Sequence, residues 1–298
     1  MEVCPGRAQE EKRILRWVGL CLLALILISF WAHFPTLPRA VTYELAREIS
    51  RSRLLQALAG WERLENGQFT VYYRPEDTGA GWLVLDTAAA IYQPVVELLK
   101  YKPPAATAIV VHPTQEGLAE TFGWTAQDSG AMGVYWAGVI QLLSPNSWLP
   151  SDNPVRQSQL FLENGPVAHE FAHVVVDYKA RGNYPRWLSE GIAQYVEYKI
   201  NGVLWTGQGS SFDQALYSLE ELADFSGLEN QNLAYRQALS LVLYMAEVHG
   251  EEKLPQILTQ LGRGATLDSA LKKALGLTLA ELEREWHSWI EGDLDRWL

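Results

Sequence analysis

The chain has 298 residues, 48% of them hydrophobic, enough to bury a core as one large domain or two small ones. Its 35 Asp and Glu against 24 Lys and Arg give a net charge of -11 spread along the sequence, which argues against nucleic acid as a partner, because counterion release needs clustered cations. Both cysteines, Cys4 and Cys21, lie in the first segment, so a metal site elsewhere must be built from His, Asp or Glu.

Residues 17–34 carry no Lys, Arg, Asp or Glu, and as a helix they span roughly 27 Å, enough for a bilayer core. Lys12, Arg13 and Arg16 precede this run and only Arg39 follows closely. The positive-inside rule therefore predicts a cytoplasmic segment 1–16, a transmembrane anchor 17–34 and an extracytoplasmic remainder. A cleaved signal peptide is the alternative, but the run is long for an h-region and no small-x-small site follows it.

Pro35 and Pro38 break the anchor, and residues 41–64 are expected to form a helix within a juxtamembrane linker, 35–66. Asn66-Gly67 ends it, and the domain expected over 67–298 opens with a strand at 69–73. A helix over 81–101, a buried strand over 108–112 and a helix over 114–122 follow, then a hairpin over 133–144 turning near Ala137-Gly138. The first half thus reads as a small sheet with helices and everything after Gly165 as helical, an α+β chain. Pro166 starts one helix and Arg181-Gly182 stops it; others are expected over 187–200 and 234–249, from Thr266, and from the capping box Thr278-x-x-Glu281.

The chemistry concentrates in His169-Glu170-Phe171-Ala172-His173. On a helix the two imidazoles, four residues apart, project from one face and can meet one ion, with Glu170 beside them to handle a water. Val167, Ala168, Phe171, Ala172 and Val174 surround this trio, so its polar groups must be hydrogen-bonded or metal-bound to offset burial. A hydrolytic zinc site uses three protein ligands and one open position, and Glu190, in the first turn of the next helix, is the candidate third. The alternative for Glu190 is a glutamate that merely favours the helix dipole.

The pair His-Glu-x-x-His and Trp-Leu-x-Glu-Gly-x-Ala-x-Tyr-x-Glu resembles the gluzincin clan of zinc metallopeptidases, in particular bacterial peptidase MA-like domains, from about Phe69 to the C-terminus. The resemblance implies a zincin-like fold, one catalytic Zn2+ held by His169, His173 and Glu190, Glu170 as general base, and a peptide or protein substrate. It also implies a Tyr or His that stabilises the oxyanion, for which Tyr235, in a family-like helix, is the first candidate and Tyr184 and His249 are others. Asp177 and Gln194 stand where groups orienting the histidines are expected. Gly130-Ala131-Met132 resembles the exopeptidase motif, but Gly133 replaces its acid, and residues 139–143 are either the edge strand that pairs with substrate or a plain core strand. An inactive peptidase-like binding module and a zinc hydrolase of a non-peptide bond are the alternative functions.

Overall fold

Phe69, Val71 and Tyr73 are buried and alternate with half-buried Thr70 and Tyr72, the period of two that a one-sided strand requires. The computed structural model describes residues 16–25, 29, 37–125, 130–149, 153–204, 206–293 and 296. Its strands are β1 (Glu62–Glu65), β2 (Phe69–Tyr73), β3 (Thr107–His112), β4 (Gly133–Trp136) and β5 (Val139–Leu143), in the spatial order β1-β2-β3-β5-β4. The β2–β3 and β3–β5 pairs are parallel, and the outer pairs antiparallel. Every residue of β3 and β5 is buried, as in strands covered on both faces. The β4–β5 turn is Ala137-Gly138, both at positive φ (51° and 79°), the primed geometry that matches strand twist in a two-residue hairpin.

From Leu37 on, the helices of eight or more residues are α1 (Leu37–Gln56), α2 (Thr78–Leu99), α3 (Gln115–Phe122), α4 (Pro154–Asn164), α5 (Val167–Ala180), α6 (Arg186–Asn201), α7 (Gln231–Tyr244), which continues as a π-helical turn Met245–His249, α8 (Lys253–Gly262), α9 (Leu267–Leu275) and α10 (Leu279–Glu291). A mixed α+β architecture results, mostly helical with a small sheet. By length and apolarity the run Pro75–Leu99, which contains α2, could cross a membrane, but 44% of its most apolar 18-residue window is buried inside the fold. It is a core helix: Tyr92 stacks on Phe171 of α5 at 5.5 Å, and Phe69 meets the same ring at 5.0 Å.

Several expectations need correction. The helix drawn over 41–64 stops at Gln56, and after Gly60, at φ 83°, Glu62–Glu65 pairs antiparallel with Thr70–Tyr73. Its Glu-Arg-Leu-Glu sequence is almost wholly exposed, so no apolar alternation marks it as a strand. Helix α4, capped by Asn153 with Pro154 at its first position, and helix α8 lie outside the helices expected from the sequence. Among the described residues of 202–230, none is helical beyond the short turn Glu221–Ala223. Strand β5 lies between β3 and β4, so the sheet edge beside the helices is β4. Of the expected anchor, Arg16–Leu25 is helical with Trp17, Leu20 and Leu23 exposed, and apart from Ser29 the rest of 17–34 lies outside the described residues, as do residues 1–15.

Candidate metal centre

Pro166 starts α5, where a missing backbone donor costs nothing, and Arg181, left-handed at φ 58°, ends it. Gly182 continues the reversal at φ 69°, and Asn183 pins the loop by donating to the Leu261 and Ala265 carbonyls, each at 2.9 Å. Helix α6 then runs back beside α5. A Cβ on Gly191 would lie 2.2 Å from the Ala238 carbonyl oxygen, so this glycine lets α6 and α7 pack backbone to backbone next to Glu190.

Three donors converge as a result. His169 Nε2 and His173 Nε2 are 3.2 Å apart, and Glu190 Oε2 is 3.6 Å from the first and 3.5 Å from the second. Two ligand atoms about 2.0–2.1 Å from one tetrahedral ion lie about 3.3 Å apart, so the three separations are those of a zinc site's edges. The chemistry fits as well: two imidazoles and a carboxylate, with a wall left open to a cavity of about 930 Å³. This cluster can hold a metal ion.

The far ring nitrogens fix the orientation. His169 Nδ1 lies 3.3 Å from Glu197 Oε2, and His173 Nδ1 lies 2.8 Å from Ser189 Oγ, which aims both Nε2 atoms at the shared point. These partners replace the expected ones. Asp177 takes Arg47, Tyr135 and Tyr184 instead of an imidazole, and Gln194 donates to the Tyr235 and Glu190 carbonyls. Glu197 is the closing residue of the Trp-Leu-x-Glu-Gly pattern, two turns past Glu190 and on its face, a spacing that could have found it.

Electrostatics follow from burial. Burial opposes a charged His169, but hydrogen bonds to Glu190 and Glu197 outweigh it and raise the imidazole well above its ordinary value. Burial would likewise raise Glu190, but His173 and His169 hold it below the usual carboxylate range. Burial pushes the Glu170 carboxyl up, against the pull of both histidines and a backbone hydrogen bond from Tyr135. Among the other candidates, Tyr235 and Tyr184 line the cavity, whereas His249 turns away to Tyr244 at 3.3 Å. Arg186, unremarked in the sequence, donates to Glu190 Oε1 and to the Tyr235 hydroxyl, both at 3.2 Å.

Gly133 explains the departure from the exopeptidase pattern. A Cβ there would come within 2.9 Å of Glu170 Cγ and 3.0 Å of Pro166 Cβ, so β4 lies against the motif helix only without a side chain. With Glu170 as the expected general base, Gly133→Ala should displace it and lower any turnover by about 10²-fold with metal content unchanged, because ångström misplacement of a reacting group costs about that much. Parallel metal analysis and steady-state kinetics check it; wild-type turnover would refute the contact's importance.

A helix-borne pair of histidines, a glutamate from the next helix and a buried carboxyl beside an open cavity define a metal-site fold of the zincin class. Residues 128–292, more than half of the chain, match the peptidase MA superfamily, and the chain belongs to that superfamily. No curated protein sequence matches it. Among solved structures, the M1 zinc metallopeptidase from Deinococcus radiodurans is similar over 78% of this chain and 51% of its own, at 18% identity and a TM-score of 0.40. A mutant of that enzyme gives 16% identity and a TM-score of 0.41 over the same shares. The chain thus spans about half the length of that enzyme.

Proposed function

We propose that the chain is a membrane-anchored zinc metallopeptidase that hydrolyses peptide bonds, with His169, His173 and Glu190 holding the ion and Glu170 as general base. The observation that carries this reading is the tetrahedral spacing of the three donors, 3.2 to 3.6 Å, with the Glu170 carboxyl in the same cavity. Zinc bound there supplies Lewis acidity. Glu170 takes a proton from the attacking water and returns it to the leaving nitrogen, a role suited to a carboxyl that burial holds above the ordinary value. Strand β4, which among the described residues pairs only with β5, is an edge of the sheet, and the outward backbone groups that Glu170 does not take are offered to an extended peptide.

Tyr235 is the proposed donor to the oxyanion. Its hydroxyl accepts from Arg186 at the cavity wall, which polarises the phenol beside the metal ligands. Tyr235→Phe is expected to keep the metal and lower kcat by about 10²-fold, the cost of one oxyanion donor; an unchanged kcat would exclude the role.

In this reading residues 1–16 are cytoplasmic, 17–34 form the anchor, 35–66 the juxtamembrane segment, and 67–298 the metallopeptidase domain outside the membrane. The test is to purify the full-length chain in detergent and measure bound metal and, by mass spectrometry, new termini in an unfolded protein mixture. About one zinc per chain with internal cleavage is expected. A folded chain that takes up no zinc rejects the reading, and a zinc-loaded chain that cuts nothing makes it a binding module.

A further inference from the structure

Asp177, on the last turns of α5, is fully buried, so its charge requires compensation. It receives an unusual complement of donors: the Arg47 guanidinium at 3.1 Å and the Tyr135 hydroxyl at 2.5 Å on one oxygen, the Tyr184 hydroxyl at 3.2 Å on the other, and Tyr43 as a further partner. These four donors come from three places in the chain. Arg47 and Tyr43 lie on α1, ahead of the residues that match the superfamily, and Tyr135 and Tyr184 line the cavity.

Tyr135 connects this network to the chemistry. Trp136 and Val139 flank the two-residue turn and form its hydrogen-bonded pair, so the Tyr135 amide points away from β5. It points at Glu170, whose carboxyl accepts its hydrogen bond. The Tyr135 ring also lies nearly parallel to the His173 imidazole, 18° between planes and 6.4 Å between centroids. One residue therefore touches the proposed base by its backbone, a proposed ligand by its ring and Asp177 by its hydroxyl.

Strand β4 has four residues and a single described partner strand, a hairpin arm that is marginal unless something else ties it down. The Tyr135 hydroxyl is such a tie, and it needs the Asp177 carboxyl held in place. Arg47 supplies the cation. Helix α1 is itself held firmly: Arg181 grips Glu44 at 2.6 and 2.8 Å, and the Arg47 guanidinium lies 3.7 Å over the Tyr178 ring. The Tyr43 ring occupies the space a Cβ on Gly182 would need, at 2.4 Å.

We infer that Arg47 and Tyr135 are positioning residues of the active site, and that α1 belongs to its scaffold by fixing Asp177, which in turn holds β4 against Glu170. The inference rests on the peptidase reading, and one of its tests does not need activity. In the full-length chain, Tyr135→Phe and Arg47→Met are each expected to lower kcat by about tenfold or more with zinc content unchanged. Arg47 touches no substrate in this arrangement, so KM should hold in its variants. Arg47→Lys, which keeps a cation at Asp177, should recover most of the lost turnover. Because both residues act through Asp177, the double variant should be no slower than the worse single one.

Hydrogen exchange supplies the independent readout: amides of residues 133–136 should exchange faster in Arg47→Met although Arg47 makes no bond to β4. If Arg47→Met does not fold, Tyr135→Phe decides by the same two measurements. Unchanged kcat in Tyr135→Phe, losses that multiply in the double variant, or unaltered exchange in β4 would overturn the inference. A zinc-loaded wild type without cleavage would instead overturn the peptidase reading, and the exchange result would still decide whether α1 fixes β4.

Discussion

Glu170→Gln is expected to retain its metal and lose about 10²–10⁴-fold in kcat, the usual contribution of a positioned acid-base group. The substitution keeps the shape of the side chain, and the amide oxygen still accepts the bond from the Tyr135 backbone that holds the carboxyl in place. What it removes is the capacity to take a proton. Glu170 is only 5% exposed and is not one of the three converging donors, so neither metal content nor folding should move by much. KM should likewise stay near its wild-type value, since the lost interaction forms only in the transition state. Side-by-side kinetics and metal analysis of the two full-length proteins test this, and near-normal turnover in the variant would remove Glu170 from the mechanism. The same pair also separates a peptidase from a binding module, because a module would lose nothing on the substitution.

The convergence of His169, His173 and Glu190 was legible because each position is fixed by local geometry. His169 and His173 share a helix face by spacing alone, and Glu190 follows from a loop short enough to bring the next helix straight back. The partners of the imidazoles depend on how α5 and α6 cross and on side-chain rotamers, which spacing does not encode. Asp177 lies one turn past His173, as a histidine-orienting group should, yet its carboxylate turns to Arg47, a residue 130 positions earlier. Strand order was equally hidden, although the unbroken burial of Val139–Leu143 carries the mark of a central strand, and Val134–Trp136 flanked by Gly133 that of an edge. Residues 62–65 were misassigned because an exposed edge strand of charged residues has no apolar period to read.

Removing the metal is expected to cost the protein more stability at high pH than at low pH. In the metal-free site a proton substitutes for the cation: His169 is raised above its ordinary 6.5 by Glu190 and Glu197 despite its burial, and Glu190 is held below the usual carboxylate range by His173 and His169 despite its own. The signs follow from these directions. The stabilisation from His169 is full below its unfolded value of 6.5 and is lost as pH rises through the higher folded value. That from Glu190 is present above its unfolded value of 4.5 and is lost only as pH falls through the lower folded one. The metal-free chain is therefore best served between those limits and weakens above them. Ligation runs the other way, because it requires neutral imidazoles and an ionised carboxylate. Below the raised His169 value each pH unit should weaken apparent zinc affinity about tenfold, or about 1.4 kcal/mol of metal-linked stability. Thermal unfolding of zinc-loaded and chelator-treated protein from about pH 6 to about pH 9 reads the effect as a gap in Tm that widens with pH. His173→Ala, which removes one of the three proposed ligands, should close that gap across the range. A gap that stays flat or narrows as pH rises would mean that protons and metal do not compete for His169 and Glu190, and the proposed ligand set would then be wrong.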